Sequence, residues 1–192
     1  MSAITLDPAT TALVLIDLQN GITAMGAHPH SAADVIARAA KLAQRFRVVG
    51  APVVLVNVAF PLGPVALRPE SDAVMKLPDG MPPGWDSLVP ELEAGPEDIR
   101  ITKRQWGAFY GTGLDMQLRR RGIKTIVLGG IATNIGVEST ARDAYEHGYQ
   151  QVIVEDACAS TVSKEMHDFA FKAIFPRIAR VRSTEDVLKA LG

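Results

Sequence analysis

Apolar runs of strand length alternate with helix-patterned segments along most of the chain. "TALVLID" (11–17) precedes the amphipathic "AADVIARAAKLAQRFRVVG" (32–50), and "PVVLVNVAF" (52–60) comes next. The second half repeats this order: "IRITK" (99–103), "GLDMQLRRRG" (113–122), "KTIVLGG" (124–130), "IGVESTARDAYEHG" (135–148), "QQVIVEDA" (150–157), "SKEMHDFAFKAIF" (163–175), "RIARV" (177–181) and "STEDVLKAL" (183–191). Strands apolar on both faces and separated by helices predict a parallel sheet covered on both sides, a three-layer α/β/α arrangement. Gly50, Gly122 and Gly148 fall where helices end, and Ser183 and Asn134 are candidate N-caps.

Between Pro61 and Pro96 the alternation stops and Pro and Gly recur. A stretch this long without periodicity reads as a lid over a site or as a surface or subunit contact. The 192 residues otherwise form a single domain, 1–192. Composition narrows the function classes. With 47% hydrophobic and 21% charged residues and a net charge of -1, the chain has no general field to attract nucleic acid or an anionic membrane. The start "MSAITLDPAT" lacks a signal-peptide pattern, and no apolar run reaches the roughly 20 residues of a membrane span, so a cytoplasmic protein is expected. One cysteine, Cys158, permits no internal disulfide and no cysteine-based metal cluster.

In open parallel sheets, ligands bind beyond the carboxyl ends of the strands. The polar residues that end apolar runs are therefore the first candidates for chemistry: Asp17, Lys103 and the turn from Ile131 to Gly136. Taken singly, Asp17 orders a turn and Lys103 is a solvated lysine; taken together, they form an acid/base pair in which each group tunes the other's protonation. Gly136 fits either a close backbone approach or a turn whose amides face developing negative charge.

Other candidates carry less. His28 and His30 in "GAHPH" have suggestive spacing but no evident carboxylate partner, so no metal site is expected. Cys158, at another strand end, reads as a buried inert thiol because no base accompanies it. Trp106, Phe109 and Tyr110 suit a pocket wall or packing beneath the 61–96 segment, and Arg119 to Arg121 complement a helix dipole. There is no GxSxG, Walker, GxGxxG or HExxH motif.

Three blocks in this order, "ALVLIDLQNG", "ITKRQWGAFYGTGLDMQLRRRGI" and "IVLGGIATNIGVESTARDAYEHGYQQVIVEDACAS", resemble the isochorismatase-like hydrolase superfamily, most closely its bacterial YecD-type branch. The resemblance implies a six-stranded parallel sheet of order 3-2-1-4-5-6, a non-proline cis peptide at Ile131–Ala132 and a homo-oligomer; no cofactor is expected, because no ligand cluster is apparent. It implies a catalytic set of Asp17, Lys103 and position 136. Most members carry a cysteine at that last position, and this chain has Gly136. The Asp-x-His pair of the nicotinamidase metal motif is absent from "NVAFPLGP". The chain is accordingly expected to be a hydrolase of a small molecule, working through Asp17 without a cysteine nucleophile and neither a nicotinamidase nor a cysteine-dependent amidase. Gln19, Ala132, Asn134, Trp106 and Phe109 are its expected substrate contacts. The alternative is a small-molecule binding protein that keeps the pocket without turnover.

Overall fold

The computed structural model describes residues 4–61, 63–67, 69–73 and 80–192, with residue 64 described by its backbone alone. Parts of the Pro61 to Pro96 segment, residues 62, 68 and 74–79, therefore lie outside the described residues. Six strands build one sheet: β1 Thr11–Ile16, β2 Val53–Val58, β3 Ile99–Lys103, β4 Thr125–Ile131, β5 Gln150–Ala159 and β6 Arg180–Arg182, in the order β3-β2-β1-β4-β5-β6. Every pairing is parallel. This is the predicted architecture.

The helices are α1 Asn20–Thr23, α2 Ala32–Val48, α3 Leu114–Arg119, α4 Glu138–Glu146, α5 Lys164–Phe169, α6 Phe175–Ile178 and α7 Thr184–Ala190. Alternation along β1 divides the core. Leu13 and Leu15 pack with Leu42 and Phe46 of α2 and Val187 of α7, whereas Val14 and Ile16 face the layer holding Leu118, Ala141 and Phe175. β1 therefore pairs with β2 on one side and β4 on the other while the connecting helices cover opposite faces. This places the topological switch point between the carboxyl ends of β1 and β4.

Local chemistry sets several boundaries. Ser183 caps α7 in a reciprocal capping box with Asp186, as its position suggested. Asn134 caps nothing: it lies inside a π-helical turn, Thr133–Val137, that precedes α4. The segment expected as one helix over 163–175 contains a second π-helical turn, Ala170–Ile174, between α5 and α6. Phe109 is 8% exposed and stacks on His147 at 5.0 Å, so it serves the core and not the cavity described below.

Candidate active site

β1 ends at Ile16, and the chain turns at Asp17, whose φ of 52° is a left-handed conformation that Asp tolerates better than most residues. The Asp17 amide still donates to the Val56 carbonyl at 2.9 Å, which holds the turn in the sheet. Across β2, Lys103 closes β3, and its Nζ lies 2.8 Å from Asp17 Oδ2. Nζ also donates to the Gln105 carbonyl at 3.2 Å. Both side chains are almost fully buried, and Asp17 Oδ1 is a buried acceptor with no hydrogen-bond partner among the described residues. Burial raises the Asp17 carboxyl from 3.8 to about 6, against the opposing pull of the Lys103 charge and hydrogen bond.

The third strand end supplies a wall. The Ile131–Ala132 peptide is cis, and the Ala132 carbonyl then accepts from the amides of Ile135 and Val137, both at 3.1 Å. Two glycines let this strand and turn approach β1. A Cβ on Gly130, at φ 129°, would collide with the Ile16 backbone. A Cβ on Gly136 would sit 3.0 Å from Asp17 Oδ2 and 3.0 Å from Ile16 Cγ2. The turn therefore lies directly over the Asp17–Lys103 pair.

Asp17, Lys103, Ala132, Gly136 and Trp106 line one cavity of about 210 Å³. Its further walls include Phe60, Met81, Trp85 and Thr161, which the strand-end logic did not single out because none ends a strand. Met81 and Trp85 belong to the aperiodic segment, so part of that segment borders the site. Two expected substrate contacts are engaged elsewhere. The Gln19 amide donates to Val58 O at 3.0 Å and Trp85 O at 3.3 Å while its oxygen accepts from Val58 N at 2.7 Å, so it fastens the Trp85 loop to β2. Asn134 Oδ1 accepts from Ser160 Oγ at 2.7 Å, outside the cavity lining. Cys158 is fully buried in the core, and burial pushes its thiol well above the usual range.

The histidines depart from expectation in a different way. His30 does have a carboxylate partner: Glu155 Oε1 lies 3.0 Å from its Nε2 and 3.1 Å from Nε2 of His167. His28, through a cis bond to Pro29, is held by its backbone to Ser160. Among the described residues, His30, Glu155 and His167 have a metal-ligating arrangement, and none of them lines the cavity.

A doubly wound parallel sheet with a small cavity at its switch point defines a protein of the open α/β class. Within that class the chain belongs to the isochorismatase family, since the Isochorismatase domain model matches residues 11–186. It is 54% identical to the uncharacterized isochorismatase family protein YecD of Escherichia coli O157:H7, over 97% of this chain and 98% of that one. Identity to the isochorismatase family protein YwoC of Bacillus subtilis (strain 168) is 49%, covering 98% of each chain. An isochorismatase family protein of Burkholderia thailandensis superposes with a TM-score of 0.92 at 50% identity, covering 99% of each chain. The superfamily's members are generally hydrolases.

Proposed function

We propose that this chain hydrolyses a small molecule in the Asp17–Lys103 cavity by proton transfer through Asp17, with no thiol nucleophile. The observation that carries this reading is the buried carboxyl: one oxygen is held by Lys103, the other has no hydrogen-bond partner among the described residues, and the residue lines the cavity. In the reaction, Asp17 gives a proton to the substrate or takes one from it. Lys103 holds the carboxylate in place and stabilises negative charge that develops beside it. The cis-linked turn contributes the backbone around Ala132 and Gly136 as the wall nearest the reacting atoms. Cysteine-dependent amide cleavage is not part of this mechanism, because Gly136 has no side chain and Cys158 has no access to the cavity.

Cavity size and lining constrain the substrate. About 210 Å³ lies below the range of about 300–1,000 Å³ usual for drug-sized ligands. Trp85, Trp106 and Phe60 suit a compact, largely apolar or planar body, and Asp17 and Lys103 a polar group at one end. Screening small carboxylates, vinyl ethers and amides for turnover, alongside thermal-shift binding, tests the reading. Turnover that survives treatment with a thiol-alkylating reagent is the expected result. Inactivation that tracks Cys158 labelling and is prevented by substrate would overturn the thiol-free mechanism. Ligands that bind without any turnover would instead support the binding-protein alternative.

A further inference from the structure

The His30–Glu155–His167 cluster is built from three separate elements. His30 comes from the loop before α2, Glu155 from β5 and His167 from α5. The loop is fixed by reciprocal backbone bonds between His28 and Ser160, at 2.9 and 2.7 Å, and α5 by the Ser163 cap on Met166. The result is two imidazole Nε2 atoms converging on one carboxylate oxygen, with edges of 3.0 and 3.1 Å. Ligands about 2.0–2.1 Å from a tetrahedral zinc ion lie about 3.3 Å apart. All three ligand atoms lie within 4.8 Å of one another, so adjustment of the side chains would gather them about an ion.

We propose that His30, Glu155 and His167 form a binding site for a divalent transition-metal ion of the zinc type, separate from the Asp17–Lys103 cavity. Two neutral imidazoles and a carboxylate suit zinc, and the set leaves a coordination position for water. Access is provided on one side, where the Glu155 and His30 side chains are 39% and 24% exposed, while His167 is 1% exposed and anchors the site from within. The second nitrogen of His167 supports the assignment. Its Nδ1 lies 2.9 Å from Thr133 Oγ1, and donation from Nδ1 to that hydroxyl leaves the Nε2 lone pair free for a metal. Without metal, a proton on Nε2 bonds Glu155 instead and the Thr133 hydroxyl donates to Nδ1. Thr133 belongs to the turn that carries Gly136, so an ion held by His167 braces the back of the cavity wall without touching its contents.

Calorimetric titration of the chelator-stripped full chain with zinc alone tests this, with cobalt(II) absorption as a second readout. The expected result is one saturable equivalent per chain and a cobalt spectrum showing imidazole coordination. His30→Ala and Glu155→Gln, chosen because both side chains are partly exposed, should each weaken zinc binding by at least about 100-fold while keeping the far-UV spectrum of the parent. Thr133→Val, which removes only the outer partner, should weaken it by about 10-fold. No saturable binding up to millimolar zinc, or parental affinity in both His30→Ala and Glu155→Gln, would overturn the proposal. Neither readout depends on turnover, so the result stands apart from that of the hydrolase reading.

Discussion

Asp17 and Glu155 are both carboxylates held against basic side chains, and their surroundings push them in opposite directions. Asp17 is 4% exposed, and its loss of solvation outweighs the lysine 2.8 Å away, so its carboxyl titrates at about 6. The Glu155 side chain is 39% exposed, and hydrogen bonds from His167 and His30 outweigh its modest desolvation, so it titrates at about 2. A basic neighbour alone does not decide what a carboxylate does. Deep burial raises the Asp17 carboxyl, while partial exposure and hydrogen bonds with two histidines lower that of Glu155.

The strongest way to break this comparison is Asp17→Asn. The amide is nearly isosteric but cannot exchange the proton, so turnover of whichever substrate the screen identifies should fall about 100- to 10,000-fold. Glu155→Gln should leave that rate within a few-fold of the parent. A folded Asp17→Asn protein that binds substrate and turns it over at the parental rate would eliminate the mechanism.

Lys103→Met comes next. Both influences that lower the Asp17 pKa come from Lys103, so the limb of the kcat/KM profile near pH 6 should move to higher pH. Removing one partner of a buried pair also leaves an uncompensated charge, a loss of about 3–5 kcal/mol at pH values where Asp17 is ionised. That loss should shrink as the pH is lowered and the carboxyl takes up its proton. Denaturant titrations at several pH values measure it, and a limb that stays near 6 would show that Lys103 does not govern Asp17.

A smaller effect is expected from Gly136→Ala. The added Cβ would meet Asp17 Oδ2 and Ile16 Cγ2, each at 3.0 Å, and the turn must give way. Overpacking of this kind costs about 1–3 kcal/mol and should reduce turnover by displacing the carboxyl. Gly136→Cys carries the same clash, so restoring a thiol there should yield at most weak amidase activity. Unchanged stability in Gly136→Ala, read from chemical denaturation, would show that the wall is softer than its contacts indicate.

The two carboxylate environments also differ in how much of them could be read in the sequence. The parallel sheet and the Asp17–Lys103 pair were legible because apolar runs alternate with helices, so a polar residue at a carboxyl end stands out and topology brings such ends together, whereas the strand order was available only through the family resemblance. His30, Glu155 and His167 give no comparable signal. They are 125 and 12 residues apart along the chain, on a loop, a strand and a helix, and considering His30 beside His28 pairs the wrong residues. The π-helical turns were likewise hidden, since apolar spacing does not separate one wide turn from the 3.6-residue period. Gln19 illustrates a third limit: it was expected to contact substrate, but the acceptors and donor its amide meets lie on β2 and the Trp85 loop.

The smallest predicted effect sharpens the comparison through stability against pH. The folded Asp17 pKa lies above its ordinary 3.8, so the native state binds that proton more tightly than the unfolded chain. Its contribution therefore improves as pH falls from about 6 towards 4. Glu155 behaves in the opposite sense. Its folded pKa lies below the ordinary 4.5, so its stabilisation is fully present above that value and is lost as pH falls towards about 2. Because the Glu155 side chain is 39% exposed, solvent and salt screen the interaction and the loss should be modest. Glu155→Gln has no such titration. Its urea midpoint should fall below the parent's at about pH 6, with the gap narrowing towards about pH 3 and added salt shrinking it at the higher pH. A gap that widens on acidification would mean that Glu155 is not held as an anion by its two histidines, and the contrast with Asp17 would fail.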